Sequence, residues 1–168
     1  MCIRDRPFFI QSRADSLVNE KTVKMLKEAG CVTIAIGLES GNEKIRTELL
    51  NKKISDAVFK KAFENCKKYQ IRTTVNVIIG LPYETEQNVL ESVDFCNVIN
   101  SDTTSVCIFA PYHGTKLRDI CIKEGFIEDR YYDDVSMVDH SILNMPQLPK
   151  EKIRQLFYDF EKLRAERR

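Results

Sequence analysis

The sequence predicts an α/β fold in which about four parallel strands alternate with outer helices and a further helix ends the chain. Short apolar segments rich in β-branched residues recur, with amphipathic segments between them. The links are short, which favours right-handed crossovers and a parallel sheet. The apolar runs within residues 32–41 and 73–85 each stop at a glycine, Gly37 and Gly80. A carboxylate and a hydroxyl follow each glycine within five residues. We therefore expect one shared site at the carboxyl ends of neighbouring strands, where ligands bind in α/β proteins.

Four strands are predicted, and we expect them to lie side by side in chain order over residues 8–13, 32–37, 72–79 and 104–109. The second strand is continuously apolar rather than alternating, which predicts that both of its faces are covered.

Helical periodicity fills the gaps between the strands. Asn19 can cap the first helix, in which Val23, Leu26 and Met25 would face inward. Further helices are predicted over 42–50, from Ser55, from Glu84 and over 116–123.

The last part of the chain differs in pattern. Residues 126–148 show no clear period, which predicts a loop-rich wrap over one mouth of the sheet. Pro149 suits the first turn of a final helix with an apolar stripe, and the basic residues 164–168 predict a solvated helix end. We divide the chain into the part with alternating strands and helices, 1–125, and the wrap with its helix, 126–168.

Charge and hydropathy exclude several classes of protein. The 26 Lys and Arg residues nearly cancel the 25 Asp and Glu residues, so no broad basic field favours nucleic acid. No apolar run reaches the roughly 18 to 20 residues that a membrane span needs. Charges in residues 1–6 stand where a signal peptide would have its apolar core. We predict a cytoplasmic protein with neither nucleic acid nor membrane as a partner.

The six cysteines predict reduced thiols rather than a disulfide framework, because the chain is long, charged and without a secretory signal. No two are spaced as a local metal clip, and a CxxxCxxC arrangement is absent. Cys2 is a lone thiol, and His113 and His140 lack ligand spacing. The sequence therefore predicts no metal site in this chain.

Five motifs in order resemble the C-terminal half of a radical S-adenosylmethionine (SAM) barrel, closest to the branch that often carries a cobalamin-binding domain. They span most of the chain. The motifs are Ser12-Arg13-Ala14-Asp15, Ala29-Gly30-Cys31, Ile36-Gly37-Leu38-Glu39-Ser40-Gly41, Ile79-Gly80-Leu81-Pro82-Tyr83-Glu84-Thr85 and Phe109-Ala110-Pro111-Tyr112-His113-Gly114-Thr115.

The resemblance implies a partial (β/α)6 TIM-like barrel that lacks its first two strands. It implies an enzyme that reductively cleaves SAM at a [4Fe-4S] cluster to start radical chemistry, with methyl transfer or a ring or bond rearrangement as outcomes. Cluster ligands in such families form a CxxxCxxC loop, so here they would lie outside this chain, which would be inactive alone. Cobalamin in the full-length protein, a small-molecule substrate and the missing N-terminal half of the barrel are the further implied partners.

The resemblance also implies site residues, although it identifies no catalytic one. The residues expected to bind SAM are Arg13, Glu39, Ser40, Asn76, Gly80 and Pro82. The residues expected on the substrate side are Tyr83, Tyr112 and His113, and Tyr83 and His113 depart from the usual family residues. Structural roles stay open beside these: Glu39 could cap a helix or pair with a lysine, Arg13 could form an ion pair, and Gly80 and Pro82 could shape a turn.

Two other classes of protein remain open. The chain could be a non-catalytic nucleotide-binding α/β domain, although it has no GxGxxG or Walker-type loop. It could also be an interaction module whose open sheet edge meets another chain. If barrel strands are missing, the strand at 8–13 should have an unpaired edge, and the isolated chain should be marginal or self-associating.

Overall fold

Four parallel strands form one sheet in the computed structural model, which describes residues 6–130, 132 and 136–168. They are β1 (Phe8–Ser12), β2 (Cys31–Glu39), β3 (Arg72–Ile79) and β4 (Thr103–Ile108). They pair in the order β1-β2-β3-β4, every pair parallel, which confirms the predicted order. Cys2 lies outside the described residues.

Within the described residues, five α-helices connect or follow the strands: α1 (Glu20–Glu28), α2 (Asp56–Lys68), α3 (Glu86–Val98), α4 (Lys116–Lys123) and α5 (Lys150–Glu166). A 3-10 turn covers Ala14–Leu17, and the short helix predicted over 42–50 is a π-helical turn at Ile45–Leu49. The Asn19 side chain caps α1 by accepting a hydrogen bond from the Lys21 amide at 3.0 Å. The inward position predicted for Met25 is wrong, because its side chain is 67% exposed.

The helices cover one face of the sheet. Ile34, Ile36 and Leu38 of β2 are fully buried there, whereas Thr33 and Ala35 on the opposite face are only half-buried. The prediction that both faces of β2 are covered is therefore wrong for this chain. Large apolar residues in this strand alternate with small ones, so its outer face alone has the volume that packing against helices requires.

The loop-rich wrap has no helix or strand in its described part, from residue 126 to residue 149. Its Met137 carbonyl accepts a hydrogen bond from the Ile108 amide at 2.7 Å, so the segment contacts the end of β4. The final helix, α5, packs on α3 and β4 and buries Ile153, Leu156 and Phe160. No helix in the part of the chain that the structure describes is long and apolar enough to cross a bilayer.

Candidate functional site

A polar cavity of about 330 Å³ lies on the half-buried face of the sheet, toward the carboxyl ends of β1 and β2 and beside Asn76 within β3. Three of the residues predicted to bind SAM line it: Arg13, Glu39 and Asn76. Gln11 and Lys52 contribute further polar walls. These residues are up to 65 positions apart in the chain but emerge at one edge, because parallel strands end on the same side of a sheet.

The backbone at the end of β2 turns the Glu39 side chain toward this cavity. The register between β2 and β3 shifts between Gly37 and Glu39, which is a β-bulge, and Glu39 has a left-handed φ of 71°. Bulges commonly redirect a side chain next to a binding site. Gly37 provides the necessary room, because a Cβ there would lie 2.4 Å from the Glu39 Oε1 atom.

Glu39 pairs with a lysine that the sequence did not single out. The Lys52 ammonium donates to Glu39 Oε1 at 2.8 Å and to the Gly37 carbonyl. Both side chains are largely shielded from solvent, at 14% exposure for Lys52 and 26% for Glu39. The carboxylate thus lines the cavity and also forms the lysine pair that sequence analysis left open as its alternative role.

Arg13 stands on the rim of the polar cavity. Its guanidinium donates to the Asp15 carboxylate from Nη2 at 2.8 Å and from Nε at 3.2 Å, and 61% of its side chain is exposed. These hydrogen bonds lower the pKa of the Asp15 carboxyl. The geometry therefore combines the predicted place at the strand end with the ion pair that was its alternative.

Ser40 does not face the polar cavity. Its side chain is fully buried, and its hydroxyl accepts a hydrogen bond from the Asn42 amide at 3.2 Å. The buried Arg46 guanidinium holds the next part of the loop by donating to the carbonyls of Ser40 at 2.8 Å and Gly41 at 3.0 Å. Ser40 is thus placed to shape the loop that follows Glu39.

Gly80 begins a tight turn after β3 that is held by a buried carboxyl. The amides of Gly80 and Leu81 donate to Glu84 Oε2 at 2.6 Å and 3.2 Å. Gly80 has a φ of 78°, and a Cβ there would lie 3.2 Å from Ile153 of α5, so this position favours glycine. Burial raises the pKa of Glu84 to about 8, against the opposing effect of these two amides.

Glu84 should make stability depend on pH. The folded chain keeps a proton that the unfolded chain releases above the ordinary pKa of 4.5. The free energy of unfolding should therefore fall, relative to Glu84→Gln, as pH rises from about 5 to 8, by on the order of 1 to 3 kcal/mol, and level off above that. Urea unfolding of both chains across this range measures it, with the exposed Glu64→Gln as control. A gap that stays constant with pH would contradict the assignment.

Three of the other predicted residues line two further cavities near strand ends. Pro82 and Tyr83 line one of about 300 Å³ beside the π-helical turn. Tyr112 lines another, of about 260 Å³, whose walls include Ile78 and Cys107 and are almost wholly apolar. His113 follows in the exposed loop between β4 and α4. The nine predicted residues therefore do not converge on a single cavity.

A larger cavity of about 530 Å³ lies at the opposite end of the sheet, beside Arg72 and Thr73 at the start of β3. Ligands in parallel α/β barrels bind at the carboxyl ends of strands. We therefore place the candidate site at the polar cavity despite its smaller volume.

The described residues offer no metal centre. Among them, no group of three or more His, Cys, Asp and Glu side chains could hold a metal ion. Burial raises the pKa of Cys66 and of Cys96 to about 12 and that of Cys121 to about 11, so these thiols stay protonated.

Sequence reasoning missed Lys52 and Arg46. Lys52 stands beside Lys53 in a segment without periodicity, and nothing local distinguishes the two lysines. Arg46 lies in a short polar stretch where burial is unexpected for an arginine. No sequence signal could have identified either, because both are defined by partners in the folded chain.

Comparisons of the sequence and of the fold with known proteins point to the same family. Residues 2–96 match the sequence profile of the Radical SAM superfamily. The chain is 28% identical over 138 residues to an uncharacterized methyltransferase, PH0819, of Pyrococcus horikoshii; the match covers 82% of this chain and 30% of the relative.

Two solved structures share the fold. Coproporphyrinogen III oxidase (HemN) of Escherichia coli, titled a radical SAM enzyme, superposes with a TM-score of 0.68 at 18% identity, over 96% of this chain and 33% of that one. The radical SAM methyltransferase TsrM of Kitasatospora setae, with tryptophan and a SAM analogue bound, gives 0.60 at 16% identity, over 88% and 29%. The chain thus spans about a third of the length of these proteins.

Proposed function

Because the chain belongs to the radical SAM superfamily, we propose that it forms the SAM-binding carboxyl half of a radical SAM barrel. A single observation carries this proposal: Arg13, Glu39 and Asn76 line one cavity formed by three adjacent strands. The Arg13 guanidinium, the Glu39 carboxylate and the Asn76 amide favour a ligand that carries both charged and hydrogen-bonding groups over a purely apolar one.

The polar cavity complements the groups that SAM presents. A carboxylate such as Glu39 can accept hydrogen bonds from both ribose hydroxyls or bind the ammonium group. A guanidinium such as that of Arg13 can pair with the ligand's carboxylate. The Asn76 amide offers both a donor and an acceptor. Buried polar groups of Ser40 and Glu84 then support this site through the loops that they hold.

Adenine and substrate are assigned to the neighbouring cavities. We propose that the turn from Gly80 to Glu84, with Pro82, flanks adenine. Tyr83, Tyr112 and His113 would border a small-molecule substrate, and the nearly apolar walls around Tyr112 favour a substrate with an apolar portion.

Reductive cleavage of SAM requires an electron from a [4Fe-4S] cluster, and the described residues do not fit such a cluster. We propose that its ligands belong to the remainder of the barrel, since the relatives are about three times as long as this chain. TsrM has been solved with cobalamin and a [4Fe-4S] cluster bound. Cobalamin use and methyl transfer by the complete protein are proposed on that likeness and on the name of PH0819.

Replacing Glu39 tests the proposal. In the complete protein, reconstituted anaerobically with iron and sulfide, Glu39→Ala should weaken SAM binding by about 1 to 3 kcal/mol, because a charge-assisted hydrogen bond is lost. Equilibrium dialysis with SAM measures the affinity. Glu43→Ala is the matched control, since Glu43 is an exposed carboxylate at the start of the helical segment that follows β2.

Two results would contradict the proposal. Unchanged SAM affinity in a folded Glu39→Ala protein would remove Glu39 from the site. Equal affinity for ATP and SAM would instead favour the nucleotide-binding alternative, because a site built for SAM should discriminate against triphosphate.

A further inference from the structure

Lys52 is anchored beside Glu39 from both its backbone and its side chain. The Lys52 amide donates to the Arg46 carbonyl at 2.7 Å, and its own carbonyl accepts from the Ile54 amide at 2.8 Å. The side chain reaches 13 residues back along the chain to the carboxylate at the end of β2. A surface lysine that simply points to solvent would need none of these contacts.

The position of the Lys52 ammonium is defined by two acceptors. It donates to Glu39 Oε1 and to the Gly37 carbonyl, and burial to 14% exposure makes the loss of either acceptor costly. The missing Cβ of Gly37 is part of this arrangement, since a methyl group there would lie 3.0 Å from the ammonium nitrogen.

This arrangement restricts the Glu39 carboxylate. A glutamate side chain loses up to about 1.5 to 2 kcal/mol of rotamer entropy when it is held in one orientation. Lys52 engages Oε1, and among the described residues no hydrogen bond reaches Oε2. One oxygen is thus held by the protein, while the other makes no hydrogen bond within the described residues of a chain in which Glu39 lines the polar cavity.

We propose that Lys52 is the positioning residue of the SAM site, holding Glu39 through Oε1 so that the ligand meets a carboxylate already oriented. This inference rests on the proposed function, because it assumes that Glu39 contacts SAM. Lys52 also lines the polar cavity, and this inference assigns its effect on the ligand to Glu39 rather than to a direct contact.

A double-mutant cycle in the complete, cluster-loaded protein tests this role. The readout is equilibrium binding of SAM and of S-adenosylhomocysteine, which reports affinity without turnover. Glu39→Gln should weaken binding of SAM about tenfold or more. Lys52→Met should weaken it about 3- to 10-fold, and Lys52→Arg should recover most of that loss, since a cation still faces Oε1. Lys53→Met is the control and should leave the SAM affinity unchanged, because Lys53 is the exposed neighbour of Lys52.

The double variant separates the possible outcomes. If Lys52 acts through Glu39, the protein with both Glu39→Gln and Lys52→Met should have a SAM affinity within about twofold of that of Glu39→Gln alone. Additive losses would show that Lys52 contacts the ligand itself and would overturn the inference. If Glu39→Gln weakens SAM binding but Lys52→Met does not, the inference about Lys52 is overturned while the proposed function stays intact. Unchanged SAM binding in Glu39→Gln would overturn both this inference and the proposed role of Glu39 in the site. Thermal melting of each variant checks that it is folded.

Discussion

Replacing Arg46 by alanine is expected to destabilise the chain by about 3 to 5 kcal/mol. Arg46 is fully buried and pairs with the Asp56 carboxylate, while its guanidinium lies 5.1 Å from the centre of the Phe59 ring. Truncation would leave a large cavity and remove the donors to the carbonyls of Ser40 and Gly41. The loop that follows Glu39 should therefore loosen as the fold weakens.

Urea unfolding of the 168-residue chain measures this loss, and Arg154→Ala is the matched control. Arg154 is 59% exposed and pairs with Asp139 on the surface, so its removal should cost less than about 1 kcal/mol. Similar midpoints for Arg46→Ala and the parent chain would show that the buried pair contributes little net stability. Under the proposed function, the SAM affinity of the complete protein should fall as well, because the Ser40–Gly41 loop directly follows Glu39 at the end of β2.

Replacing Arg164 by methionine should release α5 and cost about 2 to 4 kcal/mol. The Arg164 guanidinium donates to the Ser101 carbonyl at 2.6 Å, to the Thr104 hydroxyl at 2.6 Å and to the Asn97 side chain at 3.2 Å. It thereby joins the last helix to α3 and β4. Methionine preserves much of the apolar stem but removes the donor from the buried Ser101 carbonyl and from the half-buried Thr104 and Asn97 side chains.

Hydrogen exchange of the α5 amides reports this release directly. Arg164→Met should raise exchange in α5 well above that in β2 and β3, while Arg167→Met should leave the pattern close to that of the parent. Arg167 pairs with Asp94 at 2.6 Å on a more exposed surface, which makes it a suitable comparison. Uniform acceleration in all elements would instead indicate global unfolding and would contradict a local role in docking α5.

The interpretation of residues 164–168 as a solvated helix end is wrong for Arg164, which is only 3% exposed. Its neighbours in sequence gave no indication of this, because the acceptors come from residues 60 to 67 positions earlier. A buried guanidinium with satisfied donors costs little, whereas the same group without acceptors would not be tolerated. Only the packing of α5 on β4 decides between these cases.

The four strands, their order and the place of Glu39 at a strand end followed from the sequence alone. Strands and amphipathic helices are encoded in the local spacing of apolar residues, and short links leave few possible topologies. The resemblance to one family then predicted a set of SAM-binding residues, and three of them, Arg13, Glu39 and Asn76, line one cavity.

The tertiary structure alone decided which polar side chains support that cavity. Lys52 and Lys53 are equivalent in sequence, yet only Lys52 reaches Glu39, and Ser40 turns into the protein although it follows Glu39 directly. The tertiary structure also places Tyr83 and Tyr112 at different cavities. Such placements depend on contacts between distant segments, on a bulge at Gly37 and on burial, and none of these leaves a periodic signal in the chain.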